Sequence, residues 1–212
     1  MEPDNAHKAA AVFDKHAHHY AERFMDVSLY SNLLDILCNN IVANGTVLDI
    51  ACGPGNIARH LLHRRPDLQL TGIDLAPTMV ALAQANNPQA EFRVMDCRTI
   101  AALPADYQAV VIGFAMPYLS KEEALRLIAD AAHLLTTGGL LYISTMEDDY
   151  SKSGIQQSSK GDEVYMYFHE ADYLLPAMSL HGLTIIDEQR ITYADAKGGM
   201  VVDLCVVARK DG

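Results

Sequence analysis

Residues 47–56, which read VLDIACGPGN, contain the side chains and spacing with the clearest chemical meaning. An apolar run of strand length leads directly into Gly53 and Gly55, and a helical pattern begins at Asn56. Two glycines at a strand-to-helix turn let the backbone approach a ligand closely, and the first amides of the helix are free to donate hydrogen bonds. The segment therefore predicts a site for a polar ligand.

The glycine pattern alone leaves two kinds of ligand open. Gly53, Gly55 and Ala58 satisfy the dinucleotide pattern GxGxxG/A, and Asp74 follows at the distance expected of an acid that takes a ribose hydroxyl. Asp49, however, lies just before the glycines, where it would repel a pyrophosphate of charge about −2. A carboxylate there suits a cationic ligand such as S-adenosylmethionine. The simpler interpretation is a strand-end acid that caps its own loop.

Four later segments follow the glycine segment in a set order and spacing. They read TGIDLAPTMVALA at 71–83, MDC at 95–97, VIGF at 111–114 and HLLTTGGLLYIS at 133–144. Together the five segments resemble the motifs of class I S-adenosylmethionine-dependent methyltransferases, in the broad group that acts mostly on small molecules. The resemblance covers most of the chain.

This resemblance implies a role for each matching position. Four residues would line the methionine end of S-adenosylmethionine: Asp49, Ala51, Gly53 and Gly55. The ribose and adenine would meet Asp74, Leu75, Met79, Asp96 and Cys97. Phe114 would lie beside the sulfonium or ribose, and Tyr20 resembles an N-terminal tyrosine that approaches the cofactor or the acceptor in many relatives.

The acceptor side is much less readable, because in-line methyl transfer mainly needs alignment and exclusion of water. The candidates come from segments at the carboxyl ends of the strands: Tyr20, Tyr30, Met116, Tyr118, Glu147, Tyr150, Tyr165, Tyr167 and His169. His169 is the first choice for a general base, with Tyr20 as the other catalytic candidate, because an imidazole titrates near neutral pH. A surface histidine before a helix, and packing by the aromatic run, are the simpler interpretations.

Histidine and cysteine do not indicate a metal or disulfide site. His16, His18 and His19 diverge in either a helix or an extended chain, which favours a solvated surface over a metal site. The four cysteines form no CxxC pair, and Cys52 and Cys97 are expected to line the site without doing chemistry.

The elements that position these residues alternate between strand and helix. The predicted strands are 47–51, 68–73, 91–95, 109–113, 140–145, 183–191 and 200–208, with an extra strand at 164–168. The predicted helices are 27–42, 56–65, one starting at 77, 121–135 and 170–181. The pattern indicates an α/β, Rossmann-like, doubly wound sheet of seven strands, mostly parallel, with an antiparallel C-terminal hairpin whose turn lies at 194–199.

The expected domain organisation is a single methyltransferase domain over 1–212. Residues 1–44 would form an N-terminal helical cap, 45–145 the cofactor-binding core, 146–169 a polar insert with a mobile lid at 151–161, and 170–212 the completion of the sheet. A chain of 212 residues, half of them apolar, is long enough for one domain with a proper core but not for two full domains.

Composition and charge exclude several classes of partner. The net charge of −11 disfavours nucleic acid and anionic lipid, and the longest uncharged apolar stretch, 109–119, is short of the roughly 20 residues that span a membrane. No secretory signal is apparent, so a cytoplasmic location is expected. The expected oligomeric state is a monomer or a homodimer. The resemblance implies a methyltransferase with an unidentified small-molecule acceptor. The alternatives are an NAD(P)-dependent reductase and a non-catalytic adenosylmethionine-binding protein.

Overall fold

The computed structural model describes residues 4–157, 161–194 and 198–212. Its α-helices are α1 (Asn5–Lys15), α2 (Ala17–Phe24), α3 (Ser31–Asn40), α4 (Asn56–Arg64), α5 (Pro77–Asn86), α6 (Lys121–Leu134) and α7 (Ala171–Leu180). Its strands are β1 (Thr46–Ile50), β2 (Gln69–Asp74), β3 (Glu91–Val94), β4 (Tyr107–Gly113), β5 (Leu135–Met146), β6 (Gly154–Gln157), β7 (Glu163–Met166), β8 (Leu183–Ala194) and β9 (Met200–Lys210). Short 3-10 helices lie at Ser28–Tyr30, Cys97–Ala102, Met116–Tyr118 and Tyr150–Lys152.

Seven strands form one sheet in the order β3-β2-β1-β4-β5-β9-β8. The first five are parallel to their neighbours, whereas β9 runs antiparallel to both β5 and β8. The predicted fold class is confirmed, including the antiparallel C-terminal hairpin. Part of the predicted turn at 194–199 lies outside the described residues. The order reverses between β1 and β4, which is where the carboxyl ends of the strands open a crevice in sheets of this type.

Both faces of the sheet are covered by helices, so its central strands are buried on both sides. One buried cluster joins the sheet to α6 and α7, and the other joins it to α3 and α4. Local signals place the helices: Pro77 opens α5, and Ser120 and Glu123 form a capping box at the start of α6. The sheet is therefore a rigid base for side chains at its carboxyl edge.

Two predicted elements have different bounds in the structure. The strand predicted at 140–145 starts at Leu135, directly after α6, because Gly138 (φ +77°) and its neighbours are taken up as an irregularity within β5. The helix predicted at 27–42 is shorter, since Asp26 accepts a hydrogen bond from the Ser28 amide and a 3-10 turn precedes α3.

The predicted polar insert contains a small second sheet. Strands β6 and β7 pair antiparallel with each other and do not join the main sheet, and β6 was not among the predicted strands. The extra strand predicted at 164–168 is present as β7. Residues 158–160 of the predicted lid lie outside the described residues. The hairpin packs on α1, a long-range contact that local sequence does not show.

Within the described ranges, no helix combines the length and the apolar character needed to cross a bilayer.

Candidate active site

A cavity lies at the carboxyl ends of β1, β2, β3 and β4, where the strand order reverses. Its floor comes from the segments that follow these strands, and α1 and α2 cover it from above. Asp14 of α1 accepts a hydrogen bond from the Thr78 amide at 2.6 Å, which ties the cover to the start of α5. The cavity therefore combines local βα turns with a distant N-terminal segment.

The glycine turn after β1 holds an uncommon backbone conformation. Ala51, Gly53 and Gly55 have φ angles of +54°, +52° and +79°, in the left-handed region. The Gly53 amide donates to Asp74 Oδ2 at 2.8 Å, and the Ala76 amide donates to Asp74 Oδ1 at 2.9 Å. A carboxylate has about four acceptor positions, so Asp74 fixes the turn and still has positions left for a ligand.

Asp49 is a buried acid next to this turn. Its side chain is 1% exposed, and neither carboxylate oxygen makes a hydrogen bond of normal geometry within the described residues. Burial, with the charge of Asp74, raises the pKa of Asp49 to about 8, although the Ala58 amide opposes the shift. Asp49 therefore does not make the loop-capping bonds of the simpler interpretation. Because an unpaired buried carboxylate is costly, a cationic partner suits this residue.

Asp96 follows β3 and is held by Arg98. The Arg98 guanidinium contacts Asp96 Oδ2 at 2.6 Å, Asp4 Oδ2 at 2.8 Å and Glu123 Oε1 at 2.9 Å. Burial alone would raise the pKa of Asp96, but the hydrogen bonds from Arg98 outweigh it and keep the pKa below its usual range. Arg98 thus joins a candidate adenine contact to the first turn of α1 and to α6.

Replacing Arg98 with Gln should loosen the cover. We expect faster amide hydrogen exchange in α1, because Asp4 loses its ion pair with Arg98. We also expect the affinity for S-adenosylhomocysteine to fall a few-fold, which is the effect of losing about one hydrogen bond. Arg126→Gln, at an exposed position of α6, is the matched control. Unchanged exchange in α1 would show that Arg98 does not hold it.

The structure brings most of the predicted cofactor residues together. The cavity is lined by Tyr20, Ala51, Gly53, Asp74, Leu75, Met79, Asp96, Cys97 and Phe114. Asp49 and Gly55 do not line it: Asp49 is buried behind the turn, and Gly55 packs against the Asn87 side chain. Burial raises the pKa of the Cys97 thiol to about 12, which fits an unreactive lining residue.

Sequence reasoning missed the residues that α1 contributes. Ala6, Ala9, Ala10 and Phe13 line the cavity. Their spacing follows the i, i+3, i+4, i+7 pattern of one helix face, so the periodicity signal was present in the sequence. It is weak because three of the four side chains are small.

The acceptor candidates are spread over several places. Tyr118 lines the cavity with Tyr20, whereas Met116 is buried beneath it. Tyr30 lies behind Phe114, with ring centroids 5.4 Å apart. The remaining candidates lie away from the cavity and make other contacts: Glu147 pairs with Arg190, and Tyr150, Tyr165 and Tyr167 pack on one another. Asn5 of α1 donates to Tyr167 Oη at 2.9 Å, which gives this cluster a packing role.

His169 is fully buried, and both of its ring nitrogens are engaged. Nδ1 lies 2.7 Å from Tyr173 Oη, and Nε2 lies 2.9 Å from the Met116 carbonyl oxygen, to which it donates. Burial lowers the pKa of His169. The imidazole therefore fastens the 3-10 helix Met116–Tyr118, and it would have to break a bond before it could accept a proton from a substrate.

A His169→Gln substitution should reduce stability without altering proton transfer. We expect the free energy of unfolding to fall by roughly 1–3 kcal/mol, because the Met116 carbonyl and Tyr173 hydroxyl lose a buried partner. Urea unfolding and the pH dependence of methyl transfer between pH 6 and 8 test this. A folded variant whose pH profile loses an ionisation would instead return His169 to the role of general base.

The histidine and cysteine residues are placed as follows. His16 Nε2 lies 2.6 Å from Asp162 Oδ2, while His18 and His19 are exposed. All four cysteines are free. In the described part of the chain, potential ligand atoms of Asp35 and Cys38 on α3 and of His60 on α4 lie within 4.8 Å of one another. Arg64 already pairs with Asp35 there, and its charge opposes a metal ion.

Comparison with known proteins bears directly on this arrangement. Residues 47–139 match the family described as "Methyltransferase domain". The matched residues include the glycine turn, Asp74 and Asp96. The resemblance to class I S-adenosylmethionine-dependent methyltransferases is thereby confirmed.

A curated relative of the methyltransferase domain is the "Putative methyltransferase 235L" of Invertebrate iridescent virus 6. It is 31% identical over 112 residues, which is 53% of this chain and 40% of the relative. The chain spans less than half the length of the curated relatives it matches. The matched region therefore identifies the domain rather than a substrate.

Two solved structures share the fold of the methyltransferase domain over nearly the whole chain. The Burkholderia thailandensis 1,6-didemethyltoxoflavin-N1-methyltransferase, with S-adenosylhomocysteine bound, has a TM-score of 0.71 at 20% identity, covering 98% of this chain and 89% of that one. The [4+2]-cyclase SpnF has a TM-score of 0.75 at 15% identity, covering 100% and 97%. At such identities the likeness is one of fold.

Proposed function

We propose that this chain transfers a methyl group from S-adenosylmethionine to a small-molecule acceptor. The observation that carries the proposal is Asp49, a carboxylate without a hydrogen-bond partner in the described structure, buried beside a glycine turn. The ammonium group of a bound amino acid would supply the partner that this carboxylate lacks, whereas a pyrophosphate would be repelled by it. The proposal includes neither a nucleic-acid nor a membrane partner.

The residues present fit S-adenosylmethionine. The turn at Gly53 would hold the methionine end, with the buried carboxylate of Asp49 next to it as a counter-charge. Asp74 has acceptor positions for the ribose hydroxyls, and Asp96 and Cys97 would meet the adenine edge. When bound, this cofactor supplies a methyl group on a sulfonium, whose sulfur leaves with the electron pair. In this proposal residues 45–145 hold the cofactor, and helices α1 and α2 cover the acceptor.

The protein's own contribution is alignment and exclusion of water. The α1 and α2 helices close the cavity, and Tyr20 and Phe114 form its walls near the glycine turn. Proximity and orientation in a closed site supply much of the acceleration for a displacement with a good leaving group. A buried, fully engaged His169 is not required for this chemistry.

The geometry of the site bears on two other functions. An NAD(P)-dependent reductase would place a pyrophosphate near Asp49, which opposes it. A protein of this fold without methyl transfer is a more serious alternative, because one fold neighbour is a [4+2]-cyclase. Production of S-adenosylhomocysteine from S-adenosylmethionine, followed over a panel of small metabolites, separates the two. Tight cofactor binding with no turnover on any acceptor would leave a binding protein and would refute the methyl-transfer proposal.

A further inference from the structure

Three aromatic rings form the upper wall of the cavity. Phe13 of α1 lies edge-to-face with Tyr20 of α2, with centroids 5.6 Å apart, and with Tyr118, with centroids 5.0 Å apart. All three line the cavity, as does Phe114. We call these four residues the aromatic box. They come from three separate segments, so the box is a product of the tertiary fold.

Phe114 is fixed in an unfavourable backbone conformation. Its φ angle is +55°, in the left-handed region that bulky residues seldom adopt. The Phe114 amide donates to the Ser144 carbonyl at 3.0 Å, and the Tyr30 ring packs against it. Strain of this kind persists where the surroundings impose it, commonly at ligand sites. The ring is therefore held in place at the cavity wall.

The box contains two hydroxyl groups that have no partner. Burial and the charge of Asp74 raise the pKa of Tyr20 to about 12, and burial also raises the pKa of Tyr118. Neither hydroxyl makes a hydrogen bond to another described residue. Both side chains are half-buried and line the cavity, so their hydroxyls are available to a ligand there.

The charges of the cavity have one sign. Its described lining includes the carboxylates of Asp74 and Asp96 and no lysine, arginine or histidine. Arg98 is engaged by Asp4, Asp96 and Glu123. Arg23 lies over the Phe24 ring at 5.3 Å, at an exposed position. The described lining therefore offers no counter-charge to an anionic acceptor and would repel it.

Resting on the proposed function, we propose that the aromatic box is the acceptor subsite and takes an aromatic molecule without negative charge. The rings supply flat apolar surface, which matches an aromatic ligand and also favours a cationic substituent. The hydroxyls of Tyr20 and Tyr118 bind its polar atoms. Acceptors that carry a carboxylate or phosphate are rejected.

The test uses three phenols that differ only in the group at the end of an ethyl chain: an ammonium, a hydrogen atom or a carboxylate. Tyramine is cationic, 4-ethylphenol is neutral, and 3-(4-hydroxyphenyl)propanoate is anionic. Each is titrated into the full chain loaded with S-adenosylhomocysteine, and binding is followed by calorimetry and saturation-transfer NMR. We expect the first two to bind at least about tenfold more tightly than the propanoate, as like-charge repulsion requires.

A Tyr118→Phe variant tests the hydroxyl directly. It should weaken the binding of tyramine and 4-ethylphenol by roughly 2- to 12-fold, the value of one hydrogen bond. Its affinity for S-adenosylhomocysteine is measured in the same titrations, so that any effect on the cofactor is counted separately. Tyr107→Phe, at the amino end of β4 and outside the cavity, is the matched control and should change neither.

The outcomes separate this inference from the proposed function. Propanoate binding as tightly as tyramine would overturn the charge argument. If the Tyr118→Phe variant binds the phenols as tightly as the wild type does, or if no phenol binds to the loaded chain, the aromatic box is not the acceptor subsite. The proposed function would still stand in either case. Failure of S-adenosylhomocysteine itself to bind would remove the proposed function, and this inference with it.

Discussion

Replacing Asp49 with Asn should weaken the binding of S-adenosylmethionine by roughly 10- to 100-fold, because a buried counter-charge next to the methionine end is lost. The substitution keeps the size and shape of the side chain and removes only its capacity for negative charge. Because the pKa of Asp49 is about 8 in the free protein, binding of a cation should draw a proton from it. Wild-type affinity should therefore rise between pH 6 and 8, and the variant's should not.

The same Asp49→Asn substitution should raise the stability of the ligand-free protein. In the unfolded chain Asp49 loses its proton near pH 3.8, whereas in the folded protein it keeps it up to about pH 8. Between these values the unfolded state binds fewer protons, so wild-type stability falls as the pH rises. An asparagine does not titrate, so Asp49→Asn should gain stability relative to wild type from pH 5 to pH 8.

Thermal unfolding of the ligand-free protein at the two pH values measures this gain. Asp172→Asn, at an exposed position of α7, is the control and should show neither the loss of affinity nor the pH-dependent gain. An Asp49→Asn protein that binds S-adenosylmethionine normally would contradict the assigned role. A variant that is less stable at pH 8 would contradict the description of Asp49 as an unpaired buried acid.

A Gly55→Ala substitution should lower the free energy of unfolding by about 2–4 kcal/mol and impair cofactor binding. Gly55 has φ +79°, and an added Cβ would lie only 2.4 Å from Asn87 Nδ2 and 3.1 Å from Ala83 Cα. Asn87 is buried, and its amide donates to the Gly55 carbonyl at 3.0 Å. The methyl group would therefore combine backbone strain with displacement of the side chain that holds the turn.

Gly138→Ala separates these two contributions. Gly138 has nearly the same φ, +77°, but an added Cβ would meet nothing within 4 Å. Its cost should be only the left-handed backbone penalty, about 1–2 kcal/mol, with binding unchanged. Equal losses of stability in the two variants, measured by urea unfolding, would show that the contact with Asn87 is unimportant.

The parts of the site that depend on local chain geometry could be predicted from sequence. Gly53 and Gly55 adopt the positive φ angles that only glycine takes easily, and Asp74 bonds to the Gly53 amide. The strand-turn-helix unit specifies these positions within some thirty residues. The alternation of apolar strands and helical patterns likewise suffices for the order and class of the main sheet.

The parts that depend on distant contacts could not be predicted in the same way. The cover over the cavity is held by Asp14 bonding to the Thr78 amide and by Arg98 pairing with Asp4, and these partners are far apart in the chain. The sequence makes His169 a candidate general base, whereas in the fold its Nε2 donates to the carbonyl of Met116, a residue 53 positions away. Burial of Asp49, which decides its charge, is likewise a property of the packed fold.

Calorimetric titration of the wild-type chain with S-adenosylmethionine, S-adenosylhomocysteine and NADH tests the central claim most directly. Titration in two buffers of different ionisation enthalpy also counts the protons released. We expect one molecule of either adenosyl ligand to bind per chain, with proton release near pH 7 that disappears in Asp49→Asn, and no NADH binding at the same concentrations. Tight binding of NADH with no binding of S-adenosylmethionine would contradict it.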